Sequence, residues 1–252
     1  MASWSTKRKY GYLLVIVGIL AFAIGVPFFF FFYKAPTCSD GKQNGGERGV
    51  DCGGTCAKLC PADFTSPRVL WAYAVKVVPG VYNLLAYTQN PNQGVEAASL
   101  SYIFKMYDDE GILVAEKEGQ TFVPAGQKFA IFESGIKTGA RVPAITTFEF
   151  TNVPDWRIGS IFSQVRLISV DVDQDANPSA EAKIKNDTVD RPFSNITAFI
   201  ILYDKDDNRV NFSKTIVDRI APGEQKSIYF TWPEALSDKV VRSEVLFVAN
   251  PR

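Results

Sequence analysis

Polarity vanishes early in this chain. Tyr10 to Tyr33 (YGYLLVIVGILAFAIGVPFFFFFY) runs for 24 residues without a charge. At 1.5 Å per residue a helix of that length reaches about 36 Å, against a hydrocarbon core of roughly 30 Å. Lipid offers the backbone no partners, so a single span must be helical. The pattern therefore predicts a cytoplasmic stub at 1–9 and a transmembrane helix at 10–33. A cleaved signal peptide would show a shorter apolar stretch of about 7–15 residues and a small-x-small site. The sequence Phe31-Phe32-Tyr33-Lys34-Ala35 provides none. Lys7, Arg8 and Lys9 precede the run, which keeps the N-terminus in the cytoplasm and puts residues from about 34 onward outside.

Beyond Cys60 the period changes to two. Segments rich in Val, Ile, Phe, Tyr and Thr alternate with Gly, Pro, Asn and Asp, the signature of strands and turns. The predicted strands include Val69–Val78, Tyr82–Gln89, Ser99–Tyr107, Ile112–Phe122 and Gln127–Glu133, then Gln164–Asp173, Ala180–Lys185, Asn195–Tyr203, Val210–Ile220, Gln225–Trp232 and Arg242–Val248. A short helix is expected at Pro233–Ser237, where proline suits a first turn.

The two sets align without a gap at an offset of 96, from Val69/Val165 to Asp108/Asp204. Identities include Ala86/Ala182, Asn90/Asn186, Tyr107/Tyr203 and Asp108/Asp204. Phe104 and Met106, like Ile200 and Leu202, share one strand face and should point into a core, while Tyr107 and Tyr203 point the other way. Asp108 and Asp204 then open turns, their carboxylates accepting from nearby backbone N–H groups. Two tandem domains of sandwich size follow, at 67–156 and 157–252, joined near Asn152–Gly159. Trp156, in that connection, is expected in a core.

Phe104-x-Met106-Tyr107-Asp108 and Ile200-x-Leu202-Tyr203-Asp204 resemble the FxLYD signature of small bacterial immunoglobulin-like domains, each departing at one position. The resemblance implies extracellular β-sandwiches and brings no catalytic residues. The expected fold class is thus mainly β: a transmembrane helix, a small disulfide knot and two tandem immunoglobulin-like sandwiches.

All four cysteines, Cys38, Cys52, Cys56 and Cys60, fall between helix and strands with spacing C-x13-C-x3-C-x3-C. The surrounding segment, 34–66, is Gly-rich and too polar to fold by burial. An even number of cysteines outside a membrane reads as two disulfides, with three pairings open. A four-thiolate zinc site is the competing reading, though zinc ligands usually come as C-x2–4-C pairs across a longer loop. Cys38-x-Asp40-Gly41-x-x-Asn44-Gly45-x-Glu47-x-Gly49-Val50-Asp51-Cys52-Gly53-Gly54-x-Cys56 resembles a short motif of bacterial exported and cell-surface proteins. That resemblance implies a bacterial envelope protein.

Charge and composition narrow the functions. Hydrophobic residues make up 46% and charged residues 21%, so most of the chain should fold. Lys+Arg and Asp+Glu both number 27, and three of the basic residues precede the apolar run. The part beyond it is therefore slightly acidic, which argues against nucleic acid as a partner. The chain has no histidine, which excludes Ser-His-Asp and Cys-His nucleophilic sites and HExxH metalloproteases. No cofactor motif is present.

Oxygen-rich positions remain. Asp40, Asn44 and Asp51 in the knot, and Asp171, Asp173 and Asp175 along one strand, are weak calcium candidates. An EF-hand loop starting at Asp171 fails, because its sixth and twelfth positions are Ala176 and Ala182. Asp108-Asp109-Glu110 and Asp204–Asp207 admit an alternative reading as paired carboxylates of a carbohydrate-processing envelope enzyme. Equivalent hairpin turns explain them without catalysis. The sequons at Asn186, Asn195 and Asn211 are chance matches if the source is bacterial. The leading expectation is a single-pass envelope protein, not an enzyme, that works by adhesion, scaffolding or assembly. Its partners would be the bilayer, through residues 10–33, and another envelope component, through the β-domains.

Overall fold

The computed structural model describes residues 4–159 and 164–249. The chain forms two compact units, one through Cys56 and one from Ala57 onward.

The first unit opens with α1, Trp4–Phe32. Its stretch Arg8–Phe32 has a mean hydropathy of 2.8, and none of it is buried, so the helix is long and apolar enough to span a membrane. Pro27 lies inside it and removes one N–H near the end. The helical pattern is nevertheless carried one residue further, where Tyr33 N donates to Phe29 O at 2.8 Å. Phe28 stacks on Phe32 and Phe29 on Tyr33, each pair one turn apart.

The cysteine segment follows. Cys38 and Cys56 form a disulfide with Cα atoms 5.7 Å apart, and Cys52 and Cys60 are disulfide-bonded as well. No free thiol is left for zinc. The rest of the fold is held by carboxylates and glycines. Gly54 has φ +61, and a Cβ there would lie 2.0 Å from Gly46 O, so only glycine lets the loop close.

Among the described residues, the regular structure of the second unit is antiparallel β apart from one 3-10 turn at Pro61–Asp63. Its first seven strands are β1 (Arg68–Val78), β2 (Val81–Gln89), β3 (Val95–Tyr107), β4 (Leu113–Val123), β5 (Lys128–Lys137), β6 (Ile145–Phe150) and β7 (Trp156–Ile158). They form one sheet in the order β1-β2-β5 and a second in the order β4-β3-β6, with β7 also on β3. Leu84, Ala86, Leu100, Phe104, Met106, Phe129 and Trp156 fill the space between these sheets. The next six are β8 (Val165–Asp173), β9 (Ser179–Asn186), β10 (Phe193–Tyr203), β11 (Arg209–Ile220), β12 (Gln225–Thr231) and β13 (Arg242–Ala249). These pair as β12-β9-β8 and β11-β10-β13 around Ala182, Ile184, Ile196, Ile200, Leu202 and Phe230.

Three expectations need correction. Ile145–Phe150 is a strand, pairing Phe148 with Phe104, although its short ITTFEF pattern was not among the predicted strands. Pro233–Ser237 is a bend, not a helix. The connection near 152–159 holds strand β7, whose pairing with β3 runs to Ile158, two residues past the expected boundary. Trp156 is 2% exposed in the first core, with Phe64 against it.

The repeat identity Asn90/Asn186 turns out to be a structural knot built twice. Both asparagines are fully buried. Asn90 Nδ2 donates to Val95 O and Pro124 O at 2.7 and 2.8 Å, while its Oδ1 accepts from Asn92 N. Asn186 Nδ2 donates to Arg191 O and Ile220 O at 2.8 and 3.4 Å, and its Oδ1 accepts from Thr188 N and Oγ1. Their backbone N–H groups bond Gln127 O and Glu224 O, both at 3.0 Å. In each sandwich one fully buried amide side chain satisfies backbone carbonyls beside a strand end. Asn186 is therefore inaccessible as a glycan acceptor in the folded chain.

Candidate functional site

A third apolar cluster lies outside both sandwich cores. It joins Val75, Leu85, Tyr87 and Ala130 of the first sandwich to Phe199, Ile201, Tyr203 and Phe212 of the second. Strands β2 and β10 are the central strands of the two sheets that meet there. Each strand serves a sandwich core with one face and this seam with the other. Leu84 to Thr88 and Ala198 to Tyr203 are consequently buried without a break, as expected for strands covered on both sides. The strands β1–β13 thus stack four sheets deep, in the order β4-β3-β6, β1-β2-β5, β11-β10-β13, β12-β9-β8.

Cations close the rim. Arg209 lies 5.2 Å from the ring centres of both Trp71 and Tyr73, and Lys214 lies 5.1 Å from that of Phe132. Each is a second-sandwich cation over first-sandwich aromatics, an attraction that grows as water is excluded. Phe132 also meets Phe212 edge to face at 5.9 Å. Across the seam Tyr87 donates its hydroxyl to Glu244 Oε1 at 2.5 Å, and within the second sandwich Tyr203 donates to Oε2 at 3.4 Å. Burial, then the Glu244 carboxylate, pushes the Tyr87 hydroxyl well above the usual tyrosine range. Burial also pushes Tyr203 up to about 12. Both phenols therefore stay protonated donors. The Arg242 guanidinium lies 3.7 Å from the Tyr203 ring centre and pairs with Asp207 at 2.8 Å.

The two Tyr-Asp positions follow the expected strand geometry. Phe104 and Met106 fill the first core, Ile200 and Leu202 the second, and Tyr203 points into the seam. Asp108 Oδ1 accepts from Ile112 N at 2.8 Å, and its Oδ2 pairs with Arg141. The Ile112 N–H bond, followed by Arg141, holds its carboxyl below the usual range. Asp204 accepts from Asp206 N, Asn208 N and Asn208 Nδ2 at 2.8, 2.9 and 3.0 Å, and these bonds likewise lower its carboxyl. A general acid needs the opposite shift. These carboxylates are engaged as turn anchors.

Of the calcium candidates Asp40, Asp51 and Asp173 are similarly occupied, whereas Asn44 Oδ1 is buried without a hydrogen-bond partner. Asp40 accepts from Asn44 Nδ2 at 3.0 Å and Lys42 N at 2.9 Å, and Gly41 N donates to both Asp51 oxygens at 3.1 and 3.0 Å. The Asn44 bond chiefly lowers the Asp40 carboxyl. Glu47 accepts from Asn44 N and Asp51 N. Cys38, Glu47 and Cys56 lie close enough together to suggest a metal centre, but both sulfurs are in the disulfide. Asp171, Asp173 and Asp175 are exposed, and Asp173 caps its own turn by accepting from Asp175 N at 3.0 Å.

A cleft of ≈ 390 Å³ flanks the seam. Its walls are Tyr73–Val77 on β1, Val210–Ser213 on β11 and the bend after β12, with Trp232 and Glu234. Both β1 and β11 are end strands of their sheets.

No protein-family model matches the chain, and no curated protein does. Among solved structures, red sea bream transglutaminase is similar at 12% identity and a TM-score of 0.25, over 74% of this chain. The chain spans 29% of that protein's length. A likeness this faint assigns neither fold nor function.

Proposed function

We propose that the chain is a membrane-anchored binding or structural protein whose double sandwich is held outside the cytoplasm. The seam is the observation that carries this reading. Two sandwiches that share an apolar, cation-rimmed interface present their outer surfaces as one stiff body, which suits adhesion, scaffolding or assembly better than hinged chemistry. Two features support the external address. Lys7, Arg8 and Lys9 favour a cytoplasmic N-terminus, and four oxidised cysteines favour an oxidising compartment. The Tyr-Asp positions and the cysteine motif agree with an FxLYD-like bacterial envelope protein. Of the carboxylates in the enzymatic alternative, Asp108 and Asp204 accept turn N–H groups.

Photocrosslinking in intact membranes tests the proposal, with a photoreactive side chain placed in turn at Ile145, Lys183 and Tyr229. A discrete adduct with another envelope component supports it. Absence of adducts from every position, together with glycan turnover by the purified full chain, overturns it.

A further inference from the structure

Sheet edges differ sharply in how they are closed. On β11 the Trp232 indole donates to Phe212 O at 3.2 Å, and Asn211 Oδ1 accepts from Phe212 N at 2.8 Å, so the chain's own side chains use up that edge. The β8 edge carries a bulge between Leu167 and Ser169, then Asp171 and Asp173. The β4 edge is charged at Glu116, Lys117 and Glu118. Such bulges and charges are the usual means of preventing strand addition.

β1 has register shifts of its own, between Val69 and Trp71 and between Lys76 and Val78, but carries neither bulge nor charge from Trp71 to Val75. It has 11 residues, is the end strand of its sheet, and carries no charge from Val69 to Val75. Val69, Leu70 and Tyr73 are exposed on it. The cleft runs along its Tyr73–Val77 stretch. Two cations stand there without a carboxylate partner among the described residues. Lys76 is exposed on the cleft wall, and Arg209 lies over the Tyr73 ring with its Nε buried and unpaired.

We propose that this cleft takes an extended acidic–apolar peptide of a protein partner, added as a further strand along β1, with an apolar side chain beside Tyr73 and a carboxylate facing Lys76. The unpaired backbone row supplies main-chain bonds, and the free cations set the charge of the guest. The inference rests on the binding-protein reading and gives it a site.

The test is selection of a phage-displayed linear heptapeptide library against the full chain in lipid nanodiscs. Hydrogen exchange with a selected synthetic peptide then locates the site. The expected peptides carry Asp or Glu among apolar residues and slow exchange at residues 73–77. Lys76→Glu should weaken them about tenfold, the loss of one charge-assisted contact, and Lys in place of the peptide's acid should restore binding. Ala74→Pro, which removes an edge N–H because Tyr73 and Val75 bond β2 through Leu85 and Asn83, should abolish binding; an unchanged melting temperature in Lys76→Glu guards against misfolding as the cause. Failure to enrich any peptide overturns the proposal. So does protection confined to another surface, such as the exposed Ile112, Leu113 and Val142, although that result would leave the binding-protein reading standing.

Discussion

Replacing Asn186 or Asn90 with alanine probes both the repeated knot and the seam. Asn186→Ala deletes two donated and two accepted hydrogen bonds, of which the one to Ile220 O at 3.4 Å is weak. Three good bonds at a net of about 1 kcal/mol each give a loss of about 3 kcal/mol. Any buried carbonyl left unsatisfied adds to that loss. Asn90→Ala removes bonds of 2.7 and 2.8 Å to Val95 O and Pro124 O, so its cost should match or exceed that of Asn186→Ala. For a unit of this size each kcal/mol moves Tm by roughly 2–4 °C, so the expected fall is about 6–12 °C. Fluorescence and near-ultraviolet dichroism on the full chain in detergent suit the measurement, because tryptophan reports on every layer. Trp156 lies in the first core, Trp232 in the second, and Trp71 packs against the seam. Asn186→Ala should lower a single transition seen by all three, because the sandwiches melt together. A fall under about 2 °C for both variants would refute the knot. Separate transitions, with the Trp156 signal unmoved by Asn186→Ala, would refute the rigid seam.

Four further outcomes follow from the same contacts. Tyr87→Phe leaves Glu244 short of its cross-seam donor and should cost about 1–2 kcal/mol in urea unfolding. Asp108 and Asp204 have folded pKa values below their ordinary 3.8, so their stabilisation is present above about pH 4 and is lost as pH falls through the folded values. Asp108→Asn should therefore flatten the acid limb of a stability–pH curve between pH 5 and 2.5, and an unchanged limb would contradict this assignment. Chelator should leave Tm unaltered, because Asp40, Asp51 and Asp173 already accept protein N–H groups. Finally, Lys105→Ile combined with Glu181→Leu and Lys183→Tyr should cause concentration-dependent association in sedimentation, and a strict monomer would show that charge is not what ends the stack.

The anchor and most strands were legible because each rests on local periodicity. The uncharged run at 10–33 and the alternation of AEAKIKN on β9 state their environments residue by residue. The Asn90/Asn186 identity was also visible, but nothing local shows that an asparagine after a strand will be fully buried. The seam left a trace that period-two reading passes over. LLAYT on β2 and AFIILY on β10 do not alternate, whereas their repeat partners AEAKI on β9 and YIFKMY on β3 retain charge. Loss of alternation in one copy only signals a second buried face. The chemical sites were the least legible. An aspartate that caps a turn and one that binds calcium have the same letters, and the difference lies in whether backbone N–H groups already occupy its oxygens.

That asymmetry between the copies also explains why the stack stops at four sheets. The seam joins non-equivalent sheets: β1-β2-β5 of the first sandwich meets β11-β10-β13, the counterpart of β4-β3-β6, in the second. Such a head-to-tail contact does not close on itself. The outer sheet β12-β9-β8 is the repeat equivalent of β1-β2-β5, so it could in principle receive the β4-β3-β6 face of another molecule, and so on into a fibre. The sequence blocks this at the positions that matter. Leu85 and Tyr87, buried in the seam, become Glu181 and Lys183 on the outer sheet, and Ile201 becomes Lys105. Desolvating those charges without matched partners would cost more than the remaining apolar contact returns. One duplication therefore yields an adhesive face used once, inside the chain, and a charged copy of it that faces water. The surfaces left for a partner then include the unguarded edges and loop ends.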